Sequence, residues 1–208
     1  MVKKLLLALF VIHTGANALG QENTSEEEYD FLGRIFLPSI DIGYQIPNSD
    51  LIEGSERIAT SIEYRLSNNN DFFIRLNYDT YGARYNLPAD NNTSNTISGT
   101  VQFSDISLAP GYRLGDNTFR LMFSFMPGIK RYEFPTASVN GQAIQVSQEK
   151  KLLFTTTALV TLEYYFDEKS ALTFSIFQNH VWREVDFWED GRTAIGFSIG
   201  FITSLLEQ

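Results

Sequence analysis

From residue 33 onward apolar side chains recur at every second position, in segment after segment. A period of two marks strands with one apolar and one polar face. The first segment alternates Ile40, Ile42, Tyr44 and Ile46 with Ser39, Asp41, Gly43 and Gln45. The second sets Ile58, Thr60, Ile62, Tyr64 and Leu66 against Arg57, Ala59, Ser61, Glu63 and Arg65. In the third, Phe72, Ile74, Leu76, Tyr78 and Thr80 face one way and Phe73, Arg75, Asn77, Asp79 and Tyr81 the other. The fourth changes parity: Ile97, Val101 and Phe103 keep one phase and Ile106, Leu108, Tyr112 and Leu114 the opposite, so a bulge near Ser104 and Asp105 is expected.

The second half repeats the scheme. Phe119, Leu121, Phe123, Phe125 and Ile129 oppose Arg120, Met122, Ser124, Gly128 and Lys130, with Pro127 marking a kink or bulge. Phe154 to Phe166 alternate with Thr155 to Tyr165, and a shorter segment sets Leu172, Phe174 and Ile176 against Thr173, Ser175 and Phe177. The last places Ile195, Phe197, Ile199 and Phe201 opposite Ala194, Gly196, Ser198 and Gly200. Eight strands are predicted.

Their connections alternate in length. Residues 67–71, 115–117 and 167–169 are tight and rich in Asn, Asp and Gly, the chemistry of turns. Residues 47–56, 82–95, 133–149 and about 179–192 are long and polar. Short turns at one end and long loops at the other are the layout of an outer-membrane barrel, an all-β, eight-stranded antiparallel up-and-down transmembrane fold. An even strand number puts both termini at the turn end, which is periplasmic in such a barrel, with the long loops extracellular.

Charge placement sharpens the picture. The central strand charges are Asp41, Glu63, Arg65, Arg75, Asp79, Arg113, Arg120, Lys130 and Glu163, all opposite in parity to the Ile, Leu and Phe positions. With the apolar face toward lipid, where an Arg or Lys costs roughly 2–4 kcal/mol at the midplane, these nine would share the interior as a nearly neutral network. An eight-stranded barrel has room inside for little beyond its own side chains. A side-chain plug is therefore expected over a narrow selective channel.

The residues before the first strand have a different composition. Met1–Lys4 is basic, Leu5–Ile12 is apolar, and small residues follow, as in a secretory signal peptide. Cleavage after Ala18 or after Gly20 fits the small-residue rule, and the second is preferred. Residues 1–20 are thus a predicted signal peptide, 21–32 an acidic flexible leader carrying Glu22, Glu26, Glu27, Glu28 and Asp30, and 33–208 the barrel. Removing Lys3 and Lys4 with the signal shifts the net charge from −9 to −11. That acidity argues against nucleic acid as a partner. The chain has no Cys, which excludes disulfides, thiolate metal sites and a cysteine nucleophile. The 17 Phe, 10 Tyr and 2 Trp find their place in a lipid-facing belt.

Residues 103–134, FSDISLAPGYRLGDNTFRLMFSFMPGIKRYEF, pair a strand ending in Pro-Gly-Tyr-Arg with a tight turn and an aromatic strand carrying Pro-Gly. This hairpin resembles the small outer-membrane β-barrels of Bacteroidetes, PorT-like proteins among them, and more loosely OmpX-type barrels. Gln21 after Ala18-Leu19-Gly20 is similar to a mature N-terminus of that group, whereas the terminal Leu205-Leu206-Glu207-Gln208 differs from a terminal aromatic. The resemblance implies residence in the outer membrane, with lipid and an extracellular or secretion-machinery protein as partners.

Candidate chemistry is sparse. His180 near the end of the seventh strand, with Glu184 and Asp186 downstream, faintly resembles the His-x-Ser arrangement of lipid A deacylase barrels, but Trp182 stands where the serine belongs. His180, Trp182 and Trp188 fit an interfacial aromatic belt and loop better. His13 leaves with the signal, so no histidine metal cluster can form. Tyr81, Tyr85, Phe134, Trp182, Phe187 and Trp188 are candidates for a binding patch on the loops, and Asn91–Asn95 reads as plain loop. The sequence thus predicts a non-enzymatic barrel without cofactor or metal, in a structural, surface-binding or secretion-assisting role, with a deacylase-like hydrolase or a narrow channel as alternatives.

Overall fold

The computed structural model describes residues 34–66, 71–88, 96–140, 143–182 and 192–204. The predicted signal peptide and leader, Glu184, Asp186, Phe187, Trp188, the Asn91–Asn95 stretch and Leu205–Gln208 all lie outside them. Eight strands follow in chain order: β1 (Ile35–Pro47), β2 (Ser55–Arg65), β3 (Phe72–Pro88), β4 (Thr96–Gly115), β5 (Phe119–Asn140), β6 (Ala143–Tyr165), β7 (Ser170–Val181) and β8 (Thr193–Thr203). Each pairs antiparallel with its neighbour in sequence, and β1 pairs with β8, so the sheet closes into a barrel. Closure removes the free sheet edges where the eight strands pair around the barrel, as a wall facing hydrocarbon requires.

The alternation sorts residues cleanly between wall and interior. On β2 and β7 buried and exposed positions alternate along the strand. The exposed set is the apolar one: Ile42 is 65% exposed and Ile199 62%, whereas Glu63 and Glu163 are fully buried. This is the polarity of a soluble protein turned inside out. From Ile58 on β2 to Leu66 just past its end, the outward positions are apolar or aromatic except Thr60. Nine residues make about 30 Å of strand, which at a tilt of about 40° gives roughly the 25 Å height of a lipid-facing band. Aromatic pairs ring its turn end, with Phe72 against Tyr112 at 4.7 Å, Phe119 against Tyr164 at 5.0 Å and Phe166 against Phe201 at 6.0 Å.

Three expectations are corrected. No bulge occurs at Ser104 and Asp105, because the β3–β4 register runs unbroken from Phe72↔Tyr112 to Pro88↔Thr96. Val101 and Phe103 therefore share the inward face with Asp105. Pro127 shifts no register either: the β5–β6 ladder continues through Pro127↔Thr156. On the other side the β4–β5 pairs stop at Ser107↔Gly128 and resume at Gly111↔Ser124, with equal numbers of residues between, where Pro110 and Pro127 offer no N–H. The one register shift in the β1–β2 pairing lies between Phe36 and Ser39. Finally, much of what reads as long loop is strand, since β3 runs to Pro88, β5 to Asn140 and β6 starts at Ala143. Polar residues in a strand that has left the membrane look like loop to a hydropathy pattern.

Candidate functional site: the barrel interior

The inward residues form a small cluster at the turn end and three tiers stacked from it toward the opposite, loop end. At the turn end, Phe36, Tyr165, Ala171 and Ile202 cluster together. Arg65 lies over the Phe36 ring at 3.1 Å and donates to the Tyr165 hydroxyl at 2.8 Å. Phe36 reaches this place because the β1 register shift follows it directly.

Next comes a dense ionic tier. Glu63 accepts from Arg65 at 3.0 Å, from Arg75 at 2.7 Å and from Arg113 at 2.6 Å. Glu163 accepts two bonds from Arg113, at 2.7 and 3.0 Å, and a third from the Tyr165 hydroxyl at 3.0 Å. The fork of Arg113 thus joins β2 to β6 across the interior, and its guanidinium stacks over Phe73 at 4.2 Å. Both carboxylates are saturated with donors, which leaves them unsuited as general bases or metal ligands. At the edge of this tier Arg120 is half-buried, donates to the Asp116 carbonyl at 3.0 Å and lies 5.0 Å from the Tyr165 ring centre.

Above it sits a second ionic tier of opposite bias. Arg57 pairs with Asp79 at 2.9 Å. Lys130 donates to Asn179 at 2.6 Å and stands 3.7 Å from Asp105, whose other partner is the Thr155 hydroxyl at 3.1 Å. Asp41, half-buried, accepts from Thr173 at 3.2 Å. The third tier is apolar: Tyr81 stacks on Phe103 at 4.5 Å, and Val101, Tyr132, Leu153 and Val181 close around them. Ile52 covers this tier from the β1–β2 connection, which is tied to β3 by an Ile52↔Tyr85 bridge and by the Glu53 amide donating to the Arg84 carbonyl at 2.9 Å. A cavity with room for about one water remains between Gln45, Tyr81, Lys130 and Asn179.

All nine sequence-predicted charges point inward. Glu63, Arg65, Arg75, Arg113 and Glu163 meet in one network, whereas Asp79 and Lys130 belong to the second tier and Asp41 and Arg120 stand at the margins. Sequence reading missed Arg57 and Asp105. Arg57 shares the parity of Glu63 and Arg65 and was legible on that ground, while the expected bulge hid Asp105. It also misplaced Tyr81 and Tyr85, which are buried inside the barrel rather than offered by a loop. Trp182 is exposed, as a loop or belt residue should be.

His180 is on the outer side of β7. Its Nδ1 is 3.1 Å from the Thr193 hydroxyl and its ring meets Trp182 edge-on at 5.1 Å, while the Trp182 indole donates to Thr156 at 3.0 Å. This is an aromatic cluster on the wall, with Trp182 in the place a nucleophile would need.

No family model matches the chain, and no curated protein does. Among solved structures, it is similar to Neisserial surface protein A with a TM-score of 0.53 and 12% identity, over 82% of this chain and 97% of that one. It is similar also to the outer membrane protein OprG from Pseudomonas aeruginosa, with a TM-score of 0.53 and 8% identity, over 80% and 94%. The chain has the eight-stranded fold of the small outer-membrane barrels. At these identities the likeness carries the fold and nothing finer.

Proposed function

We propose that the protein is an integral outer-membrane barrel with a sealed interior, its termini in the periplasm and its working surface outside, and that it is not an enzyme. The observation that carries this reading is the reversal of polarity, an apolar outer wall around charges most of which pair with one another. Such an interior stiffens the barrel and leaves binding to the loop end. There the β5–β6 hairpin pairs with itself out to Asn140↔Ala143, while pairing with β4 stops at Gln102↔Glu133 and with β7 at Thr155↔Val181. Among the described residues neither projecting edge has a strand partner, and a strand edge in water is a template for an added strand. A surface-binding role follows. The PorT-like character of residues 103–134 supports a secretion-assisting version of the same role.

Orientation and location are tested together. A protease site placed at Gly141-Gln142 is expected to be cut on intact cells, while one at Asn117-Thr118 is cut only after the outer membrane is opened. The reverse pattern overturns the orientation, and recovery of the protein from the soluble fraction overturns the membrane reading. Lipid A from cells with and without the gene is expected to have the same acyl chains by mass spectrometry. A chain lost in a His180-dependent way overturns the non-enzymatic reading.

A further inference from the structure

The two borders of the apolar wall differ. At the turn end it finishes in paired aromatic rings, as described above. At the loop end, over β4 to β6, it finishes in charge. The last wholly apolar row across the sheet is Tyr78, Ile106, Ile129 and Phe154, which the strand registers place side by side. One step further out, Arg131 lies between Ser104 and Leu152, and in the next row Glu133 lies between Gln102 and Lys150.

We propose that Arg131 and Lys150 hold the phosphate of a phosphorylated glycolipid headgroup in the outer leaflet, with its acyl chains lying along Ile129, Phe154 and Leu152. The proposal rests on the reading of the barrel as an outer-membrane protein with its loop end outward. Three observations carry it. Both side chains are about half exposed and point to the lipid side of the wall. Both contact a single carboxylate: Glu133 accepts from Arg131 and stands 3.5 Å from the Lys150 amine. Among the described residues, one carboxylate shared by two cations leaves a positive charge unmatched, next to an apolar surface where Leu152 is 67% exposed. A phosphate at that height would take a planar two-pronged donor from Arg131 and a mobile point charge from Lys150. The hydrocarbon attached to it would cover the row below. A soluble anion gains only the first of these interactions, so the lipid is the occupant that uses both.

The test is native mass spectrometry of the whole barrel in detergent, titrated with bisphosphorylated lipid A, with the same lipid lacking its phosphates, and with inorganic phosphate. The wild type is expected to retain the phosphorylated lipid, and the R131Q/K150Q double variant to bind it about tenfold more weakly. Glu133→Gln is expected to tighten it, since both cations are then unmatched. Lys169→Gln, at the turn end, is expected to change nothing. Equal retention by the wild type and the double variant, or equal binding of the lipid with and without phosphates, overturns the proposal. Binding of inorganic phosphate as tight as that of the lipid overturns the lipid as its source. Insertion is read separately, from the heat-dependent gel shift of the folded barrel in phosphatidylethanolamine vesicles. Failure of the wild type to insert overturns the membrane reading, whereas inserted barrels that ignore phosphate overturn this proposal alone.

Discussion

Arg113 and Glu63 meet at 2.6 Å although their strands, β4 and β2, are not neighbours in the sheet. The guanidinium reaches across the interior: the Nη2 that donates to Glu63 also donates to Glu163 on β6, where Nε makes a second bond. Breaking a buried pair of this kind leaves an uncompensated charge, which costs about 3–5 kcal/mol. Arg113→Gln is expected to lower stability by about that much in urea unfolding from phospholipid vesicles. Adding Glu163→Gln should recover part of the loss, because one stranded carboxylate is then removed. A loss below about 1 kcal/mol would mean that water screens the network.

The wall should be as sensitive to charge as hydrocarbon contact demands. Phe123→Arg, outward on β5 within the apolar band, is expected to cost roughly 2–4 kcal/mol, and Thr80→Arg near the loop-end border roughly 0–1 kcal/mol. The same vesicle titration measures both, and equal costs would refute lipid contact at Phe123.

Gly111 marks a place where two layers leave no room. A methyl group there would run into the Phe73 ring and stand 2.7 Å from the Phe123 carbonyl oxygen. Gly111→Ala is expected to destabilise the barrel by about 1–3 kcal/mol. Combining it with Phe73→Leu should restore only part of that, because the carbonyl belongs to the backbone of β5 and cannot swing away.

The sealed interior proposed above should not conduct. Phe36 and Arg65 pack at the turn end and the Tyr81, Phe103 and Tyr132 cluster fills the interior toward the loop end. The wild type in planar bilayers is expected to show no steady ion current. A steady ohmic current would favour the channel reading over the plug.

The β4–β5 turn carries a pH dependence of its own. Asp116 accepts from the amides of Phe119 at 2.7 Å and Thr118 at 2.8 Å, and these bonds hold its carboxyl below the usual range. A group depressed on folding stabilises the fold above its unfolded pKa, about 3.9 for Asp, and that contribution is lost as pH falls through the lower folded value. Asp116→Ala is therefore expected to lower stability at neutral pH and to flatten the loss of stability in acid. An unchanged acid profile would show that the turn does not depend on the carboxylate.

The fold was legible because a barrel in lipid leaves a simple trace. Ile40, Ile58 and Phe174 can face hydrocarbon only if their neighbours face inward, and closure needs every strand to repeat that choice. The signal weakened where the solvent changed. On β4, Val101 and Phe103 keep the inward parity of Asp105 yet are apolar, because the loop-end tier is filled with aromatic rings rather than ions. Parity read through polarity alone therefore invented a bulge. Beyond the membrane, residues 134–140 on β5 and 143–149 on β6 carry no lipid-driven alternation, so strand looked like loop.

By itself the sequence determined strand number, the tight turns at 115–117 and 167–169 and the parity of the nine charges it singled out, because these follow from the two-residue period and the cost of charge in lipid. Only the tertiary structure decided which charges meet. Arg113 spans β2, β4 and β6 and Lys130 on β5 reaches Asn179 on β7 through cross-barrel distances fixed by register and closure, while Arg57 meets Asp79 diagonally on the neighbouring strand. No local pattern encodes those distances. They arise when eight strands share one interior too narrow to keep its charges apart.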